Sequence, residues 1–381
     1  VIAGFELARE RRGEDEWMRE KKDSIGIGIV GAGFARTTQI PAFRACAGAR
    51  VVAIASRHRE NAARVAREFE IEHVLEDWRD IIARDDVDLV SIVTPPSTHA
   101  EMSLAALEAG KSVLCEKPTA MNAAEADAMR QRASKAGVLA LIDHELRFVP
   151  GRRRMREMLL NGEIGEIRHA KLLYRSDFRS SAERAWDWWS DSEAGGGALG
   201  AIGSHAVDAF RWLLDTEVYE VSCQLSTHVR ERVEKETNEL RAVTTDDEAN
   251  LLLRFGDSKL GKDATGTISL SVVEPGRPEH RLEIFGSEGA LMIEDEGILW
   301  QARMGEGEWR EVETPRGEMA AGMRDSSWSR GFTAFSRAIV EALREGRTHI
   351  EEAATFEDGY RTQLVLDGAR RSNESGQRER V

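Results

Sequence analysis

The stretch Ile25-Gly26-Ile27-Gly28-Ile29-Val30, followed at once by Gly31-Ala32-Gly33-Phe34-Ala35-Arg36, limits what this chain can fold into more than any other. Six positions without a polar side chain, partly β-branched, predict a strand buried on both faces, as in the middle of a parallel sheet. The glycines after it predict a tight turn into a helix. Gly31 permits the turn, and Gly33 lets the backbone approach a pyrophosphate at the positive end of that helix. Phe34 and Ala35 open the helix and belong to the same candidate dinucleotide site, whereas Arg36 stands at the third fingerprint position, where Gly or Ala is usual. A glycine pair of this kind also serves as a plain structural turn. Its place between a strand and a helix, at the head of a βαβ rhythm, favours the dinucleotide.

That rhythm continues. Strands are predicted over 51–56, 88–94, 112–118 and 138–144, and helices over 60–70, 99–110 and 123–137. Alternation of this type implies right-handed crossovers and a doubly wound sheet, so residues 24–145 are expected to form a Rossmann domain. After residue 145 the pattern changes. One basic helix, 152–162, precedes strands over 168–175, 218–229, 248–255, 266–273, 280–286 and 290–295, several alternating polar and apolar residues. Helices are expected over 204–215, 331–345 and 355–371. The fold class is therefore α/β: a doubly wound domain, then a second α/β domain over 146–372 whose C-terminal helix packs back on the first, then a frayed tail over 373–381.

Composition narrows the partners. The 381 residues suffice for two cores, and 53 basic against 67 acidic side chains leave a net charge of −14, which repels nucleic acid and anionic membrane. No run approaches the roughly 18 apolar residues of a membrane span, and the N-terminal stretch lacks the apolar centre of a signal peptide. Residues 1–23 read as a charged extension, a solvated helix or frayed, with Met18 a candidate for a start nearer the fold. Cys46, Cys115 and Cys223 are few and far apart, so neither a disulfide framework nor a metal site is expected, and the protein is assigned to the cytoplasm.

Four further motifs carry chemistry. The second strand ends in Ser56-Arg57-His58-Arg59 where NAD enzymes commonly place a carboxylate for the ribose hydroxyl. Ser56 and Arg57 suit a 2′-phosphate, which favours NADP and leaves NAD open. Thr94, Pro95, Pro96 and His99 leave the carboxyl end of the third predicted strand, the ligand side of an open α/β sheet; Thr98 in this loop also reads as a helix cap. Glu116-Lys117-Pro118 occupies the same edge one strand on, with Lys117 suited to orient a hydroxyl. The run Gly195-Gly196-Gly197 is expected to be flexible and leads to His205, which is either a proton acceptor near neutral pH or a packed helix residue. Asp208, one turn later, supports that imidazole or its helix. In Trp186-Asp187-Trp188-Trp189, the indole of Trp188 either stacks on a sugar or packs a core.

In this order the motifs resemble the glucose-fructose oxidoreductase, inositol dehydrogenase and rhizopine-catabolism (Gfo/Idh/MocA) family, over about residues 24–372. The resemblance implies a second domain with an open, largely antiparallel sheet through whose face copies associate into a homo-oligomer. It also implies a nicotinamide cofactor and a sugar, inositol or related polyol as substrate. By resemblance Lys117 and His205 are the catalytic pair, and the cofactor contacts include Thr94, Pro95, Pro96, His99, Glu116 and Lys117. Substrate contacts fall on Lys117, Trp188, His205 and Asp208. The aspartate that the family carries four residues before the histidine is here Ala201. The expected activity is hydride exchange with a secondary alcohol; the rivals are NAD-assisted elimination or glycoside hydrolysis without net redox change, and a sugar-sensing binding protein.

Overall fold

A computed structural model describes residues 19–235, 237–294 and 297–381. The predicted first strand, β1 (Ile25–Val30), is buried along its whole length. It lies inside a parallel six-stranded sheet with β2 (Ala49–Ala55), β3 (His73–Leu75), β4 (Leu89–Ile92), β5 (Ser112–Cys115) and β6 (Ala140–Ile142), in the order β3-β2-β1-β4-β5-β6. The order reverses between β1 and β4, so the crevice beyond their carboxyl ends is where a doubly wound sheet receives its ligand.

Helices cover both faces. On one side α1 (Ile40–Arg44) and α2 (Arg59–Phe69) pack Phe43, Ala62 and Val65 against Ile25, Ile27 and Ile29. On the other, α3 (Trp78–Ile82), α4 (His99–Glu108) and α5 (Ala123–Ala136) pack Ile81, Met102, Ala106 and Met129 against Val90, Ile92 and Val113.

The second sheet has nine strands. They are β7 (Ile167–Arg175), β8 (Val218–Ser226), β11 (Glu248–Phe255), β12 (Thr265–Ser271), β13 (Glu279–Gly286), β14 (Gly289–Glu294), β15 (Ile298–Arg303), β16 (Arg310–Val312) and β17 (Glu379–Arg380). Their order is β16-β15-β14-β13-β7-β12-β11-β8-β17. Every neighbouring pair is antiparallel except β7 with β12. A separate hairpin joins β9 (Glu231–Val233) and β10 (Leu240–Ala242). One face of the large sheet is packed by α6 (Pro150–Leu160), α7 (Ser204–Leu214) and α9 (Phe356–Ser375) through Met155, Met158, Phe210, Leu213 and Leu366. Along β11 the buried Ala249, Leu251, Leu253 and Phe255 alternate with Glu248, Asn250, Leu252 and Arg254 on the other face. That is the period-two pattern of a sheet with one wet side.

The chain then returns to the first domain. Helix α8 (Ser327–Arg344), capped by the Ser326 side chain, inserts Phe332, Phe335, Ile339 and Val340 into the core that holds β1. Phe148 stacks on Phe335 with ring centroids 4.6 Å apart. Leu141 of β6 bridges Thr355, and Phe356 of α9 joins the core on the opposite face. The Rossmann core is therefore built from two distant pieces of chain.

Three expectations about the ends and strands are corrected. The tail is not frayed: α9 runs to Ser375, and Glu379 and Arg380 pair antiparallel with β8. The last residues of the charged extension are docked, with the Arg19 and Lys22 amides donating to the carbonyls of Gly346 (2.6 Å) and Arg344 (2.9 Å); residues 1–18, Met18 included, lie outside the described residues. Strands β3, β9, β10, β15, β16 and β17 were not expected; they are short or charged, so their pairing partners decide them more than their pattern does. Among the described residues no helix is long and apolar enough to cross a membrane.

Candidate active site

The two glycines of the first turn do different work. Gly31 has φ +109°, and a Cβ there would sit 2.3 Å from the Val93 carbonyl oxygen. Only glycine fits this contact between β1 and the strand beside it. Gly33 is exposed, and nothing lies within 4 Å of where its Cβ would be. That open cradle at the start of a helix, in the crevice of the switch point, fits a dinucleotide pyrophosphate. Phe34 stands 45% exposed at its rim, whereas Ala35 turns its methyl into the core and has only backbone to offer. At the end of β2, Ser56 is half-buried and Arg57 is exposed.

The loop after β4 is locked from within. Thr98 does not cap α4 through its side chain; its hydroxyl lies 2.9 Å from the Pro95 carbonyl, which can accept its proton, and 2.7 Å from Thr94 Oγ1. His99 is fully buried, with Nε2 2.9 Å from the Thr94 carbonyl and Nδ1 2.9 Å from the Pro118 carbonyl. Its expected contact with the cofactor is corrected: the side chain has no exposed surface, and its ring lies between the carbonyls of the two ligand-side loops, one of which accepts its N–H.

Glu116 turns its carboxylate inward. Its carboxylate accepts from Gln39 Nε2 at 3.1 Å, and the same amide donates to Asp143 at 3.1 Å. Asp143 and Glu145 follow β6, so three acids share one buried pocket behind Lys117. Burial raises all three above the usual carboxylate range; the neighbouring negative charges add to the rise in Asp143, and Glu145 is pushed up to about 8.

Lys117 and His205 do come together. Lys117, just beyond β5, donates from Nζ to the Ala201 carbonyl at 3.2 Å, one turn before His205 on the segment that runs into α7. The residue that lacks the family's carboxylate thus holds the lysine through its backbone. His205 is buried, and its Nε2 has no hydrogen-bond partner among the described residues. Burial, and then the charge of Lys117, hold its imidazole well below the ordinary value. The expectation of an imidazole titrating near neutrality is corrected: it is neutral and carries a lone pair.

His205 has neighbours that the sequence did not single out. His144 Nδ1 lies 3.3 Å from His205 Nδ1, with the two rings at 82°. The Trp328 ring meets the His205 ring edge-on at 4.7 Å and stacks on His280 at 5.5 Å, and Arg152 reaches His280 Nε2 at 3.3 Å. The indole against the candidate base is therefore Trp328, not Trp188. Trp188 is 41% exposed and stacks on Trp189, which packs against Phe178 and Arg179.

Asp208 is buried against Arg147 and His144. Its carboxylate accepts from Arg147 Nε (2.9 Å) and Nη2 (2.5 Å), and its Oδ1 lies 3.9 Å from His144 Nε2. The glycine run is not loose. Cβ atoms at Gly195, Gly196 and Gly197 would meet Pro96 at 2.6 Å, the Trp189 carbonyl at 2.1 Å and Asp246 at 2.5 Å. Gly195 lets this segment pack closely on the loop at Pro96, while Gly196 and Gly197 fit it against Trp189 and Asp246. A strand end as dense in titratable groups as Asp143-His144-Glu145 was the available signal for this half of the site.

A doubly wound sheet with an open glycine cradle at its switch point, and a lysine and a neutral histidine at the same edge, defines a dinucleotide-binding class of two-domain α/β proteins. Residues 25–144 match the family described as oxidoreductase, NAD-binding Rossmann fold, and residues 152–292 match the GFO/IDH/MocA C-terminal domain. The chain belongs to the GFO/IDH/MocA oxidoreductase family. It is 30% identical over 292 residues to levoglucosan dehydrogenase of Pseudarthrobacter phenanthrenivorans, covering 71% of this chain and 73% of that protein. A crystal structure of an oxidoreductase domain protein from Kribbella flavida superposes with a TM-score of 0.83 at 31% identity, over 94% of this chain and all (100%) of that one. Levoglucosan dehydrogenase in complex with NADH and L-sorbose superposes with a TM-score of 0.83 at 27% identity, over 94% and 99%.

Proposed function

We propose that the protein is an NAD(P)-dependent dehydrogenase or reductase that acts on a secondary alcohol or ketone of a sugar, inositol or related polyol. The observation that carries this reading is His205, neutral and with a free Nε2, beside a lysine anchored on the carbonyl of Ala201. Gly31, Gly33, Phe34 and the backbone of Ala35 would hold the dinucleotide, with Thr94, Pro95 and Pro96 lining the crevice. When bound, the nicotinamide supplies the hydride acceptor or donor. His205 Nε2 takes the hydroxyl proton in oxidation and returns it in reduction. Lys117 holds the oxygen and stabilises its developing negative charge.

Ser56 and Arg57 support NADP over NAD, since neither offers a carboxylate to a ribose hydroxyl and Arg57 offers charge to a phosphate. Three free cysteines fit a reducing cytoplasm. The outer face of the nine-stranded sheet, with Leu252 62% exposed, supports a homo-oligomer; sedimentation at the mass of one chain would remove that claim.

The test is a panel of sugars and polyols with both cofactors, read by the absorbance of reduced nicotinamide. It starts from levoglucosan and L-sorbose, the ligands named for the levoglucosan dehydrogenase complexes. His205→Ala should lower turnover about 10²–10⁴-fold with cofactor affinity retained. Near-normal turnover in that variant refutes the assignment. Product without net reduced nicotinamide would move the protein to elimination or hydrolysis, and ligand binding without product to a sensor.

A further inference from the structure

We propose that His144 is the positioning residue for His205, fixing its tautomer so that Nε2 is bare and faces the reacting hydroxyl, with Asp208 and Arg147 holding His144 in turn. The inference rests on the reading of His205 as proton acceptor. It starts from one hydrogen bond between like atoms: Nδ1 of His144 and Nδ1 of His205 are 3.3 Å apart. Two neutral imidazoles share one proton there, so one ring donates and the other accepts.

The two arrangements are not equivalent. If His144 donated, its own Nε2 would present a lone pair to the Asp208 carboxylate 3.9 Å away, and His205 Nε2 would carry a buried hydrogen with no acceptor among the described residues. If His205 donates, His144 carries its proton on Nε2, toward the carboxylate, and His205 Nε2 keeps a free lone pair.

The charges around His144 select the second arrangement. Arg147 bonds both Asp208 and Asp358, and Arg211 also reaches Asp358, so the cluster is held in place and the charged group nearest His144 Nε2 is the Asp208 carboxylate. Around His205 stand Lys117, Arg152 and His280, which disfavour a second proton on its ring until an alkoxide forms. When His205 takes the hydroxyl proton at Nε2, its Nδ1–H remains hydrogen-bonded to His144 and the new charge is opposed across His144 by Asp208. Within the histidine pair the only bond change is the new Nε2–H, whose proton comes from the substrate O–H. His144 reaches His205 from the end of β6, so the orientation of the base is set by the Rossmann domain while the base itself sits on α7.

The experiment reads tautomers directly, independent of any substrate. In protein carrying isotopically labelled histidine, long-range proton–nitrogen correlation spectra report which ring nitrogen is protonated. His205→Gln and His144→Phe assign the signals. The expected spectrum has His205 protonated on Nδ1 and His144 on Nε2. In His144→Phe the His205 signal should lose that fixed pattern. With the best substrate, kcat should fall about 10-fold or more with KM little changed, and the pH profile of kcat should shift. His144→Asn, whose carbonyl oxygen can stand where Nδ1 stood, should restore both. Wild-type His205 protonated on Nε2 overturns the proposal, and so does a His205 signal unchanged in His144→Phe. If His144→Phe does not fold, the wild-type and His144→Asn spectra decide. The expected tautomers together with a fully active His205→Ala would refute the role of His205 as base and leave the orientation standing.

Discussion

Gly33→Val and Gly31→Ala, only two positions apart, should fail in opposite ways. At Gly33 a Cβ meets no heavy atom within 4 Å and the residue is exposed. The fold should therefore change by no more than about 0.5 kcal/mol. The same side chain fills the cradle that a pyrophosphate would occupy. Loss of two backbone bonds to a charged phosphate, at about 1.5–3 kcal/mol each, predicts a Kd for the dinucleotide weaker by about 10²–10⁴-fold. At Gly31 the order reverses. A φ of +109° is glycine territory, and a Cβ would lie 2.3 Å from the Val93 oxygen. Backbone strain of about 1–3 kcal/mol and overpacking of about 1–3 kcal/mol together predict a loss of roughly 2–6 kcal/mol. Urea unfolding reads the stabilities, and quenching of tryptophan fluorescence on titration with NADH and NADPH reads the affinities. The reasoning fails if Gly33→Val binds within a few-fold of wild type, or if Gly31→Ala is as stable as wild type.

Arg57→Asp should reverse the cofactor preference from NADP to NAD, read as the ratio of the two dissociation constants; an unchanged ratio removes Arg57 from the site. Arg147→Met should destabilise by about 3–5 kcal/mol, because Asp208 and Asp358 lose the cation they share. Burial opposes the ionisation of Asp358, and Arg147 with Arg211 overcomes it, holding that carboxyl well below its usual range; a urea midpoint shift equivalent to under about 1 kcal/mol would contradict this weight. Glu145, pushed up to about 8 by burial and by Glu116, favours the fold in its protonated form. That contribution is complete below the ordinary glutamate value and is lost as pH rises through about 8. Glu145→Gln should accordingly gain stability over wild type between about pH 6 and pH 9, and parallel urea profiles would disprove the shift.

The Rossmann half was legible because its strands are buried on both faces, so the apolar runs from Ile25, Val51, Leu89 and Val113 carry their own signal. β15 and the β9–β10 hairpin were not legible: β9 and β10 are three residues each, β15 does not alternate through Leu299, Trp300 and Gln301, and each strand is fixed by the one beside it. Of the site, Gly33, Lys117 and His205 stood out because each occupies a motif. His144, Arg147, Arg152, His280 and Trp328 did not, since they reach the site from four different elements and nothing local distinguishes a buried arginine from a solvated one. Asp208 shows the limit of helical spacing: it shares a turn with His205, but Arg147, a residue from another element, decides where its carboxylate points.

The position of α8 within the first core has a consequence for how the protein is made. A ribosome that has released β1 to β6 has delivered every strand of the nucleotide-binding sheet, but not Phe332, Phe335 and Ile339, which cover it, nor Phe356 on the opposite face. At about 5–20 residues per second roughly 10–40 s separate the emergence of Ile142, the end of β6, from that of Phe356. During that interval a six-stranded apolar surface waits for its lid, and strands β7 to β16 are synthesised in between. The nucleotide-binding half therefore cannot close its own core until strands β7 to β16 of the other half have been translated.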